Sequence, residues 1–227
     1  MAVAYDNTSS LALGTGDRNT SHAGSASAAG ALVLIVEEGG TDTILGVTYG
    51  GQTMTQVTGS PVLYTAPETG SIHGFFLNNP PKGTQTWAVD TDTGSDQYIA
   101  ACFTVTSATG YSAVHDTSVM AGAASQTTVG ATLTITTDSF VAGAMYSGLA
   151  APAFTEVTGT VEVVEGDLGN DSGGISRGTT IKTTDFSYTW TQASDDGMAL
   201  VVAIAEAAAP VPSAGYPIIG GGFFPTG

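Results

Sequence analysis

ILGVTYGGQTMTQV, residues 44–57, reads as two runs of strand-forming residues around a Gly50-Gly51 pair. Two adjacent glycines tolerate the positive φ angles that a two-residue hairpin turn requires. Counting outward from that turn puts Tyr49 opposite Gln52, Val47 opposite Met54 and Leu45 opposite Gln56. Side chains alternate along a strand, so these six share one face, and Gly46, Thr48, Thr53 and Thr55 share the other. An apolar face backed by threonine and glycine predicts a sheet buried on one side and wet on the other.

The same period-two pattern continues on both sides of the hairpin. Ala31 to Glu37, ALVLIVE, is a continuous apolar run that suits a strand buried on both faces. Ser71 to Leu77 puts His73, Phe75 and Leu77 on one face. The turn-forming stretch NNPPKG (78–83) follows, and Thr84 to Asp90 returns with Trp87 and Val89 together. Further strands are expected around Val3 to Tyr5 and over Val62 to Tyr64, Asp96 to Thr106, Val129 to Thr137, Ser139 to Ser147, Val157 to Val164, Asp185 to Thr191 and Met198 to Ala205. The stretches 14–30 and 166–178 read as polar loops, and 111–130 is the least regular part. Roughly ten to twelve strands with short turns and no helical period predict an all-β fold. The expected architecture is an antiparallel β-sandwich, jelly-roll-like, of two packed sheets spanning residues 1–206.

Residues 207–227, AAAPVPSAGYPIIGGGFFPTG, break that pattern. Prolines and a glycine run exclude a regular element, while large apolar residues argue against a simple solvated linker. They read as an extended C-terminal arm. Tyr216, Ile218, Ile219, Phe223 and Phe224 are the candidate interaction residues, with docking on a neighbouring subunit as the sharper expectation and folding back over its own sandwich, or disorder, as the alternatives.

Charge narrows the possible partners. Of 227 residues only 11% are charged, yet the formal net charge is −16. Such a chain repels nucleic acid and anionic membrane surfaces, so neither is expected as a partner. The lone Cys102 sits in an apolar run and reads as a small core residue. The opening MAVAYDNTSS shows no basic stretch followed by an apolar one, so no export signal is expected. An extracellular-looking β domain without such a signal fits a particle assembled in the cytoplasm, or a fragment of a longer secreted, cell-surface protein.

Chemistry-bearing patterns are few. Asp90, Asp92 and Asp96 in DTDTGSD are spaced like oxygen ligands of a hard cation, which makes calcium the one possible ion; no other cofactor is expected. The stretch GISRG (174–178) matches G-x-S-x-G, but a nucleophile elbow needs a strand before it and a helix after it. Glu162 and Glu165 on one strand would face opposite ways, the wrong geometry for a glycosidase pair. His22, His73 and His115 are dispersed, and His73 reads as a core or edge residue. Trp87, Tyr98, Tyr188 and Trp190 could stack on sugars, although alternate-position aromatics more often fill a core.

The hairpin VTYGGQTMTQV (47–57) resembles a recurring V-[ST]-Y-G-G-x-x-[ML]-[TS] signature of β-sandwich proteins from bacteriophages and bacteria. In those proteins a strand ending in a short Pro-Gly turn follows. FFLNNPPKGTQTWAV (75–89) stands in that place, with DQYIAACFTVTS (96–107) next in order. The likeness covers residues 1–206 in outline, and its specific part is the hairpin. It implies a virion component such as a head decoration protein, fibre or tail accessory. It brings no catalytic residues, and the proline-rich tail departs from it. The expectation is therefore a non-enzymatic, homo-oligomeric structural protein of a phage virion, bound to other virion proteins. A carbohydrate-binding or adhesive surface module is the alternative, and a glycan-degrading enzyme the remoter one.

Overall fold

The computed structural model describes residues 3–39, 43–64, 69–92, 96–107, 113–150, 155–156 and 159–206. Every helix or strand among them is a strand. The first ten are β1 (Val3–Gly14), β2 (Arg18–Ala23), β3 (Ala28–Glu38), β4 (Ile44–Tyr49), β5 (Gln52–Thr53), β6 (Thr55–Gln56), β7 (Val62–Tyr64), β8 (Gly70–Asn78), β9 (Thr84–Thr91) and β10 (Tyr98–Ser107). The rest are β11 (Ala113–Leu133), β12 (Ser139–Ser147), β13 (Thr155–Glu156), β14 (Thr160–Leu168), β15 (Asp171–Gly178) and β16 (Phe186–Glu206).

These strands form three antiparallel sheets where two were expected. The central sheet has the order β1-β10-β3-β8-β6, with β7 also paired to β8. A four-stranded sheet, β2-β9-β4-β5, covers one of its faces. The third sheet, β11-β16-β12-β15-β14 with β13 on β16, covers the other. The chain weaves between the first two sheets up to Ser107, and everything from Ala113 onward builds the third.

Burial on both sides explains the sequence of the central strands. In β3, Leu32, Leu34 and Val36 face the third sheet, while Ala31, Val33 and Ile35 face the four-stranded one. A strand with no wet face has no reason to alternate. The layer toward the third sheet is filled by Phe103 and Ile72 from one side and Phe140, Tyr146 and Leu200 from the other. Glycine lets these two sheets approach closely. A Cβ on Gly173 of β15 would come within 2.7 Å of the Val36 side chain.

The Gly50-Gly51 turn forms as expected, with φ of 56° and 77° and Tyr49 paired to Gln52. Two details differ. Leu45 points out and is 66% exposed, while Ile44 is buried. A register shift between Ile44 and Gly46 against β9 inserts one residue and reverses the parity upstream of it. The returning arm leaves its sheet after two residues: β5 pairs with β4, whereas β6 pairs with β8 of the central sheet. Met54 lies at that crossing, buried between the two sheets.

Three stretches expected to be irregular are strands. Residues 18–23 form β2, a polar strand paired to β9 whose one buried side chain is His22. The 166–178 stretch holds the end of β14, its turn and β15, and its glycines sit where larger residues would clash. The 113–133 stretch is β11, paired along most of β16. Register shifts between Met120 and Thr128, with Ser125 at φ 57°, bend this long ribbon. Its far part turns Tyr188 and Trp190 onto the outer face of β12, making a third apolar layer with Val141 and Met145.

Candidate functional site

At one end of the layer between the central and four-stranded sheets, a carboxylate is fully buried. Glu37 ends the apolar run of β3 and shares its inward parity with Ile35. β8 supplies Ser71 and His73 on the same side, because Ile35 is paired with His73 and Glu37 with Ser71. Ser71 Oγ donates to Glu37 Oε2 at 2.8 Å, and Thr43 donates to Glu37 Oε1. His73 Nε2 lies 2.8 Å from Ser71 Oγ and 3.4 Å from Glu37 Oε2.

Serine, histidine and glutamate in contact invite comparison with a hydrolytic triad, but the connectivity is wrong. A triad places the carboxylate and the serine on opposite ring nitrogens. Here both meet Nε2, and the serine proton is already committed to Glu37, so His73 must donate to Ser71. All three side chains are wholly buried. The cluster holds β3, β8 and the entry to β4 together. The expectation that His73 is a core residue agrees with this placement.

Outside that buried group lies an acidic edge. The structure puts Asp92 and Asp96 within electrostatic range of each other, and Glu38 and Asp167 join them from β3 and β14. The carboxyl of Asp96 is pushed up by partial burial, then by Glu37 and Asp92. That of Glu38 is pushed up by burial, then by Asp96 and Asp167, against a hydrogen bond from Gln97. Asp90, the remaining member of the expected calcium set, is exposed at the end of β9. Among the described residues no group of three or more His, Cys, Asp or Glu is arranged to hold a metal ion.

Other sequence candidates resolve into structure. Ser176 of the G-x-S-x-G match lies within strand β15, buried, with its Oγ 2.7 Å from the Tyr188 hydroxyl. Trp87, Tyr98, Tyr188 and Trp190 are all buried, which overturns a sugar-stacking platform built from them. They are the large side chains that fill the layers. The side chain of His115 lies outside the described residues, as do Tyr216, Ile218, Ile219, Phe223 and Phe224.

The described residues include a surface cleft of about 130 Å³ on the third sheet, lined by Asp116, Thr134, Thr136, Thr137, Ser139, Ala203 and Ala205. Alanine, hydroxyl and carboxylate groups line it, and the polar ones can hydrogen-bond to polyols or to exposed main chain. It adjoins Glu206, where β16 ends and the 207–227 segment begins. No local pattern announces it, since its residues come together only through pairing of β11, β12 and β16.

Compared with protein-family models and with curated proteins, the chain matches none.

Proposed function

We propose that this chain is a structural protein of a bacteriophage virion, a capsid decoration or fibre-type subunit that works by association with copies of itself and with other virion proteins. The observation that carries this reading is a contrast along the chain. Every charged residue falls at or before Glu206, giving a body of formal charge −16, and residues 207–227 are uncharged and rich in apolar side chains. Acidic bodies repel one another. An uncharged arm can cross between them without adding to that repulsion, and β16 ends at Glu206, next to the cleft-lining Ala205. Mass photometry of the full chain and of residues 1–206 tests this. The full chain should form a discrete oligomer, and the shortened one should be a monomer with unchanged circular dichroism. An identical mass distribution for both overturns the arm.

The same cleft favours a second reading, a carbohydrate-binding or adhesive module, because hydroxyl and carboxylate groups suit sugar recognition. Calcium at the Asp92–Asp96 edge would belong to it. A glycan array without binding above background, together with calorimetry showing no heat on adding millimolar calcium, removes this alternative.

A further inference from the structure

A second buried polar chain crosses the layer between the four-stranded and central sheets, and it runs through a histidine. Trp87 Nε1–H on β9 donates to Ser9 Oγ on β1 at 2.9 Å. Ser9 Oγ lies 2.9 Å from His22 Nδ1 on β2, and His22 Nε2 lies 2.9 Å from Thr104 Oγ1 on β10. Thr104 Oγ1 donates to Asp6 Oδ2 at 3.0 Å. His22 and Thr104 are fully buried.

The proton positions follow from counting. An ionised carboxylate only accepts, so Thr104 gives its one proton to Asp6. His22 Nε2 must then carry a hydrogen and donate to Thr104. Its Nδ1 is the acceptor for the Ser9 hydroxyl, which accepts from Trp87. Each donor in this row meets an acceptor only while the imidazole is neutral. A second ring proton would point Nδ1–H at Ser9 and displace the serine hydrogen from its acceptor.

We propose that this row is an acid-sensitive latch that releases the four-stranded sheet from the central sheet while the central and third sheets stay stacked. The groups facing His22 can be taken element by element. β1 contributes Asp6 and Ser9, and β10 contributes Thr104 and the thiol layer at Cys102. β9 contributes Trp87, and β4 contributes Tyr49, whose ring meets the imidazole edge-on at 5.8 Å. Burial pushes Tyr49 and Cys102 up, so both are neutral, and Asp6 is the charged neighbour. Burial lowers the His22 pKa below its ordinary 6.5, and the attraction of Asp6 offsets part of that. A lowered value means the unfolded or opened segment binds the proton first. Stability from the latch is complete above about pH 6.5 and is lost as pH falls toward the folded value. His73 in the same layer differs, having Glu37 at 3.4 Å, whereas His22 has a hydroxyl on each nitrogen.

Amide hydrogen exchange of the full chain at pH 7 and pH 5, corrected for intrinsic rates, tests the latch. Protection in peptides 18–23, 44–49 and 84–91 should fall by up to about tenfold per pH unit, the limit for one proton. Peptides 139–147 and 198–206 should hold. His22→Gln should remove the acid step. Nitrogen-15 spectra of the native imidazole should show the Nε2–H tautomer with a midpoint below 6.5, lower still in Asp6→Asn. The latch is overturned by the other tautomer, by a midpoint at or above 6.5, by an acid step that persists in His22→Gln, or by one that disappears in His73→Gln instead. Should His22→Gln not fold, the spectra of the native chain and of Asp6→Asn decide alone.

Discussion

Gly143 in β12 lies directly beneath Trp190 of β16: a Cβ built on the glycine would stand 2.9 Å from the indole Cη2 and 3.0 Å from the Tyr188 ring. Both rings are buried, and Tyr188 is further held by its 2.7 Å contact with Ser176. They have no room to retreat. Gly143→Ala should therefore destabilise by about 1–3 kcal/mol, the usual cost of overpacking a close-packed layer. Thermal melting should show it as a lower Tm, with loss of near-ultraviolet dichroism from the tryptophan preceding loss of the far-ultraviolet β signal.

The two turn glycines should not respond alike. Gly50 has φ 56°, and a Cβ there would meet Gln85 Oε1 at 2.8 Å and Pro81 Cγ at 2.9 Å. Gly51 has φ 77° with open space around it. Gly50→Ala should cost about 1–2 kcal/mol or more from left-handed strain plus clash, while Gly51→Asn should stay within about 1 kcal/mol. Paired urea titrations measure the difference, and equal costs would show that turn geometry alone governs both.

Ser71→Ala removes a hydroxyl that gives its proton to Glu37 and accepts one from His73. It leaves polar atoms buried without that partner, at a cost of about 1–3 kcal/mol. The measurement is the urea midpoint at an unchanged m-value. An unaltered midpoint would mean that water takes the serine's place.

Asp96 carries a stability effect of the opposite sign. Its carboxyl is raised in the fold by burial and by Glu37 and Asp92, so the charged form is disfavoured there. The stability linked to this group is complete below its unfolded range and lost as pH rises through the folded value. Asp96→Asn should therefore melt higher than the native chain at pH 7 and no higher at about pH 3. The site is largely solvated, so the gain should be a few tenths of a kcal/mol and should shrink with added salt. A fall in Tm at pH 7 would show that the carboxylate is needed as a hydrogen-bond acceptor.

That residues 31–36 and 198–205 are core strands was legible in their unbroken apolar runs, whereas the third sheet was not. The Gly-Gly hairpin was legible because its turn chemistry is local. Leu45 misled because a bulge depends on the register of β9, which no local pattern encodes. β2 and β15 escaped notice because apolar periodicity is the signal for a strand, and they lack it. In β2 one histidine is the buried side chain, and in β15 glycines serve as the packing surface. The buried networks were invisible for a related reason. Thr104 meets Asp6 across 98 positions, a separation over which sequence spacing carries no geometry. A partial clue existed in Glu37, a carboxylate at the end of a run of core residues whose parity points inward.

β1 pairs with β10 from Val3↔Ser107 to Gly14↔Tyr98. Of this pair, the strand made earlier thus waits for one made about a hundred residues later. At ordinary elongation rates that is a delay of roughly 5–20 s, during which β3 and β8 can zip together while the opening strand is unmatched. Assembly order and synthesis order run in opposite senses at this edge. A nascent chain stalled before Tyr98 would keep β1 open to proteases, and release of the stall would close it.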